Sequence, residues 1–214
     1  MSILEWSIDA RLNRRRDEPD PARTGTVEQL AAAREEQGLI ERARRGEIGA
    51  YETLLLAHDR AAYWVAYAVT GDATDAEDAL QDAFMKAFAA LSRFRRGARF
   101  RPWLLSIVAN EARTRRRSRR RHAAIASRAL EREPRAAVEA SPELSVLLGE
   151  DRRQLLEAVE RLPEKMRTVV TCRYLLELSE QDTARALGIR PGTVKSRLSR
   201  ALDSLEASLG ASDD

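Results

Sequence analysis

Thr193, Lys195, Ser196, Arg197, Ser199 and Arg200 crowd one short stretch of the chain, with Arg190 just ahead of them. Small hydroxyls and long cations are the side chains that hydrogen-bond base edges in a DNA major groove and hold phosphates. The chemistry they suit is recognition rather than bond making. Val194, Leu198, Leu202 and Leu205 recur between them at helical spacing, so the polar set lies off an apolar stripe that turns inward. Upstream, Ser179 followed by Asp182 reads as a helix N-cap, Gly188 as a turn, and Pro191 as the opening residue of the last helix. The segment from Leu178 to Leu205 is therefore predicted to be a helix-turn-helix. A plain helical hairpin with a solvated basic face is the competing reading. It gives no reason for the glycine turn or for small polar residues at the start of the second helix.

A second group has a different character. RFRRGARFR, Arg93 to Arg101, precedes Pro102 and Trp103 and a helix that ends in RTRRRSRRR. Arg95, Arg96, Arg99 and Arg101 can hold phosphates on a loop that Gly97 makes pliable, while Phe94, Phe100 and Trp103 can stack on bases of a single strand. Core packing is the alternative for the aromatics, and for Trp103 it is the stronger one. On the following helix Asn110, Arg113, Thr114 and Arg117 share a face by their i, i+3, i+4, i+7 spacing. Asn suits adenine edges, and Arg suits guanine or phosphate. Part of the arginine run serves nonspecific, counterion-releasing attraction to a polyanion.

A third group is acidic. Asp72, Asp75, Glu77, Asp78 and Asp82 fall on one predicted helix beside Gln81 and Phe84. They form either a protein-docking surface with an aromatic anchor or a solvated helix start whose acids suit the helix dipole. Metal or acid–base chemistry lacks companions there. His58 and His122 are far apart, without ligand-like neighbours, and are expected at the surface. No P-loop, nucleophile elbow or HExxH motif is present. No catalytic residue, metal or cofactor is expected.

The elements that must position these groups are helical. Aromatic residues make up 5% of the 214-residue chain, which fits small helical cores better than sandwiches. Net charge is +3, yet Arg93 to His122 holds twelve arginines against one acid, so the rest of the chain is acidic. That segregation points to a polyanion on one surface and another partner elsewhere. The single cysteine, Cys172, excludes an internal disulfide and is expected to be buried. No apolar run approaches the ~18 residues of a membrane span, and no signal-peptide core opens the chain, so a cytoplasmic protein is expected without membrane insertion.

The predicted fold class is all-α, two small helical domains on a flexible linker. Residues 1–26 read as a disordered leader, although Ile3, Leu4, Trp6, Ile8 and Leu12 leave room for a short docking helix. Residues 27–117 form a first helical domain, with helices over Leu30–Arg45, Ala50–Val69 and Asp75–Leu91 and a fourth starting at Pro102. Residues 118–149 lack apolar periodicity and form the linker, whose ~32 residues reach ~105 Å when extended. Residues 150–209 form the second domain, broken at Pro163. No domain is expected beyond it.

In this order the segments resemble an extracytoplasmic-function (group IV, sigma-70 family) bacterial RNA polymerase sigma factor. DAEDALQDAFMKAFAALSRFR is similar to the family's region 2.1–2.2, FRPWLLSIVANEARTRRR to regions 2.3–2.4, and LPEKMRTVVTCRYLLELSEQDTARALGIRPGTVKSRLSRAL to region 4. The likeness covers roughly residues 35–117 and 150–208. It implies a σ2-like helical bundle and a σ4-like helix-turn-helix, and a noncatalytic factor that brings core RNA polymerase to −35/−10 promoters and helps melt the −10 element. It further implies docking of Asp75, Asp78, Gln81, Asp82 and Phe84 on the β′ clamp helices, with a further contact at the β flap. Arg95, Arg96, Arg99, Phe100, Arg101 and Trp103 would capture a flipped −10 base, and Asn110, Arg113 and Arg117 would grip the upstream edge of that element. Arg190, Thr193, Lys195, Ser196, Arg197, Ser199 and Arg200 would read the −35 duplex. An anti-sigma factor is the implied regulatory partner. The family often has Asp where Thr114 stands and a small polar residue where Arg190 stands, which bears on base preference. A free-standing LuxR-type regulator is the rival in another class, and it would bind duplex DNA without polymerase. A helical enzyme acting on nucleotides has no constellation to support it.

Overall fold

The computed structural model describes residues 27–95, 97–129 and 150–210. The expected leader and residues 130–149 of the expected linker lie outside them. Eight helices and no strand occur among the described residues: α1 Val27–Arg44, α2 Ile48–Thr70, α3 Ala73–Ala90, α4 Phe100–Ala129, α5 Glu150–Arg161, α6 Glu164–Val170, α7 Glu180–Leu187 and α8 Pro191–Gly210.

The punctuation is local and chemical. Gly71 takes a left-handed φ of 70° and donates its N–H to Tyr67 O at 2.8 Å, which stops α2. Asp72 is extended, and its carboxylate accepts the Asp75 N–H at 3.0 Å, which starts α3. Ser179 caps α7 in the same way, accepting the Asp182 N–H at 3.1 Å. Gly188, with φ 64°, ends α7, and Pro191 opens α8. After α6 the chain widens into one π-type turn, Thr171–Leu175, in which Leu176 N–H reaches Thr171 O at 3.0 Å.

Both ends of α4 differ from the sequence reading. α4 starts at Phe100, so Pro102 stands third in the helix rather than first. Its missing N–H still falls among those with no intrahelical partner. At the other end α4 continues through residue 118, where a linker was expected, to Ala129. No Gly or Pro interrupts 118–129, and Arg and Ala are strong helix formers. Arg119 also ties this extension back to Asp72 and Asp75 at 2.7 Å each.

Ile40, Leu54, Leu91, Phe94, Phe100 and Leu104 fill one core between α1, α2, α3 and α4. Ala158, Leu162, Val170, Ala201 and Leu205 fill another inside the C-terminal domain. The third core crosses between the domains. Val65, Val69, Ala76, Ala79, Ala83, Leu105, Val108 and Ala112 meet Val169, Cys172, Leu178, Ala184, Leu187 and Val194 in one buried cluster. The alanines let the helix axes approach closely. The two domains joined by the linker are thus laid side by side, with α7 against α4 and α6 against α2.

Candidate nucleic-acid interface

α8 is held by its inward stripe. Val194, Ala201 and Leu205 are buried, and Leu198 and Leu202 are half-buried. That fixes the outward face: Arg190, Lys195, Ser196, Ser199 and Arg200 are exposed. Thr193 and Arg197 are half-buried, Arg197 being turned toward α4. Arg200 Nε donates to Ser196 O at 3.2 Å, and Ser196 Oγ donates to Thr193 O at 3.2 Å. Lys195 Nζ lies 3.8 Å from Glu180. The structure therefore brings these residues onto one helix surface, with cations and hydroxyls interleaved.

The loop ahead of α4 turns at Gly97, whose φ is 73°. Arg95 and Arg99 are exposed on it, Arg101 is half-buried, and Arg96 lies outside the described residues. Phe100 is not available to a base. It is fully buried, with its ring centroid 5.9 Å from Phe94, 5.5 Å from Trp103 and 5.5 Å from His58. An aromatic at the first position of α4 points under the loop, and burying its ring outweighs presenting it. Trp103 is half-buried against the same rings, 4.8 Å from Phe94. His58 is not a surface residue either: only 12% of its side chain is exposed, and its Nε2 is 3.0 Å from Glu36 Oε1.

Asn110, Arg113, Thr114 and Arg117 do share a face. Arg113 donates to Asn110 Oδ1 at 3.1 Å, Thr114 to Asn110 O at 3.0 Å, and Arg117 to Thr114 Oγ1 at 3.3 Å. The face is partly covered by α7, because Arg113 also donates to Leu187 O at 2.9 Å. Burial pushes the Arg113 guanidinium below its usual pKa, and the nearby Arg197 and Arg117 push the same way. Arg99 is taken up in an ion pair with Asp182 of α7.

The aspartates at α3 are already paired. Arg115 lies against Asp75, Asp78 and Asp82, and Arg119 against Asp72 and Asp75. The Asp75 amide, then Arg119, hold the Asp72 carboxyl below the usual carboxylate range. Gln81 is exposed. Phe84 is half-buried, packed against two of the cores, so it anchors the bundle more than a partner. The exposed apolar groups on this face are Met85 (64%) and Phe88 (42%), which sequence reasoning missed. Their signal was present: Asp78, Gln81, Asp82 and Met85 follow i, i+3, i+4, i+7 spacing, and Phe88 continues it. Among the described residues no cluster of His, Cys, Asp or Glu could hold a metal ion, and no helix is long and apolar enough to cross a membrane.

Residues 54–122 match the family model for sigma-70 region 2, and residues 152–205 match that for sigma-70 region 4. The RNA polymerase sigma-H factor of Pseudomonas aeruginosa is 31% identical over 181 residues, covering 82% of this chain and 94% of the relative. The ECF RNA polymerase sigma-E factor of Escherichia coli is 32% identical over 179 residues, covering 80% and 92%. Among solved structures, CnrH in complex with the cytosolic domain of CnrY aligns with a TM-score of 0.60 at 25% identity, over 83% of this chain and 98% of that one. The sigma factor RpoE in complex with the anti-sigma factor NepR from Bartonella quintana aligns with 0.61 at 28% identity, over 75% and 96%. The chain belongs to the sigma-70 family. Within that family it is an extracytoplasmic-function sigma factor, an initiation factor that directs RNA polymerase to promoters.

Proposed function

We propose that the two domains divide this work between two surfaces of opposite character. The α3 face bearing Asp75, Asp78, Gln81, Asp82, Met85 and Phe88 docks on the β′ clamp helices of core polymerase, and the C-terminal domain meets the β flap. The loop arginines Arg95, Arg96, Arg99 and Arg101, with Trp103 beside them, hold the displaced −10 strand. Asn110, Arg113 and Arg117 grip the upstream edge of that element. The outward face of α8, from Arg190 to Arg200, reads the −35 duplex. One observation supports the reading: a helix face that sets Gln81, Met85 and Phe88 in solvent beside half-buried, arginine-paired aspartates, and an exposed basic, hydroxyl-bearing face, stand on different domains. Phosphodiester chemistry belongs to the polymerase, and the factor works in the cytoplasm.

An anti-sigma partner is supported by the two structural neighbours, RpoE in complex with the anti-sigma factor NepR and CnrH in complex with the cytosolic domain of CnrY. With the domains side by side, α7 covers Arg113 and holds Arg99. Engagement of the −10 strand therefore requires α7 to leave α4.

Run-off transcription with purified core polymerase on genomic fragments tests the activity and yields the promoter. Charge reversal at Asp78 and Asp82 is expected to weaken core binding. Replacing Lys195 and Arg200 with Ala is expected to weaken −35 duplex binding and leave core binding intact. If both sets fail in the same assay, the division of labour is wrong.

A further inference from the structure

Between α4 and the C-terminal domain lies an open recess of about 400 Å³, within the roughly 300–1,000 Å³ of small-ligand sites. Its walls carry Arg113, Arg116, Arg117 and Arg120 from α4, Lys165 from α6 and Arg197 from α8. The four α4 residues follow i, i+3, i+4, i+7 spacing and make a cationic stripe ~10 Å long. The one carboxylate lining the recess, Glu164, is already paired with Arg116. Arg113 and Arg117 spend their bonds on neutral oxygens. Arg120, Lys165 and Arg197 have no acidic partner among the described residues.

At the recess, like charges face each other across the domain boundary. Arg197 belongs to one domain and Arg113 and Arg117 to the other. Arg167 of α6 is pushed below its usual pKa by burial first and then by Arg116 of α4. Apolar packing thus holds these cations close at the recess, where the Arg116–Glu164 pair offsets part of their repulsion. A polyanion in the recess reverses the sign of that term, because each guanidinium can give paired N–H bonds to phosphate oxygens.

We infer that the recess binds an oligophosphate, a chain of three or more phosphates either free or carried by a nucleoside, and that this ligand clamps α4 to the C-terminal domain. The length of the stripe suits a chain better than a single phosphate. The recess exists only while the domains lie together, whereas a factor on a promoter holds two separate elements. That argument against DNA as the occupant rests on the division of labour proposed above; oligophosphate binding itself does not.

Titration calorimetry of the full chain, without DNA or magnesium and at constant ionic strength, tests the site with sodium tripolyphosphate, adenosine and guanosine triphosphates, and orthophosphate. One saturable site for tripolyphosphate is expected, with none for orthophosphate. Tighter binding of a nucleoside triphosphate assigns the ligand to nucleotides, and equal binding assigns it to the phosphate chain alone. Lys165→Ala combined with Arg120→Ala changes two exposed residues outside the promoter-reading set, and should weaken binding roughly tenfold or more. Arg200→Ala, which does not line the recess, should leave it unchanged. Amide exchange in α7 should slow when tripolyphosphate is present. Many weak sites that disappear with salt, equal binding by the double variant, or unchanged exchange in α7 would each overturn the proposal.

Discussion

Phe84, Met85 and Phe88 sit within two turns of one helix and divide their work by a single criterion, which side of α3 each faces. Phe84 packs into the bundle, while Met85 and Phe88 are exposed. Phe84→Ala should cost about 2–3 kcal/mol of stability, at or below the low end for a fully buried aromatic, read as a lowered urea midpoint. Met85→Ala and Phe88→Ala should leave that midpoint nearly unmoved and weaken core polymerase binding, each by roughly tenfold if they fill pockets in the partner. The same contrast holds at the loop. Phe100→Ala removes a ring with no exposed surface and should cost about 3–5 kcal/mol. Arg99→Ala should change stability far less and instead weaken binding of a −10 single strand. Cys172 is an internal marker for these measurements. Burial pushes its thiol up to about 12, so it should resist thiol reagents until the variant under test unfolds.

At the scale of elements, the caps are the cheapest parts to test and were the easiest to read. Ser179→Ala deletes the acceptor for the Asp182 N–H and should cost ~1 kcal/mol, measurable as a shift in thermal midpoint of the full chain. Ser179, Gly188 and Pro191 were legible because a cap or turn is decided by a few adjacent residues. The stop of α2 at Gly71 was legible for the same reason, whereas α3, read from Asp75, starts at Ala73 behind the Asp72 cap. The end of α4 was not. Residues 118–129 carry no apolar stripe, so periodicity gave no sign of a helix. A helix already nucleated propagates cheaply through Arg and Ala, and the pairs that hold its extension, Arg119 with Asp72 and Asp75, lie far away in sequence. Phe100 and His58 were misassigned for a related reason. Arginines flank Phe100 in sequence, and the two rings pack on each other at 5.5 Å although 42 residues separate them. The acidic helix was found by composition, but its apolar half, Met85 and Phe88, needed the spacing carried one turn further.

The whole molecule is held in its side-by-side form by bonds that neither domain could make alone. Arg167 of α6 donates to Ala68 O on α2 at 2.8 Å. Tyr67 of α2 donates to Glu160 of α5 at 3.2 Å. Neither Arg167 nor Tyr67 belongs to a surface assigned to polymerase or promoter, so they can be changed to test the arrangement alone. Tyr67→Phe with Arg167→Gln should cost the closed form ~2 kcal/mol, a factor of roughly 30 in the closed-to-open ratio. Small-angle scattering should then report a larger radius of gyration, and the isolated chain should bind a −10 single strand more tightly because α7 no longer competes for Arg113 and Arg99. The phenol adds a pH signature of known sign. Burial first, and then the charge and hydrogen bond of Glu160, raise Tyr67 from 10.0 to about 12. Below the lower value both the packed and the separated forms keep the proton, and the bond to Glu160 is intact. Between the two, the separated form loses its proton more readily, so closure weakens as pH climbs from about 10 to about 12. The wild-type radius should rise across that window and the Tyr67→Phe radius should not follow it. A wild-type radius that stays constant through the window would mean that the α2–α5 bond does not hold the domains together.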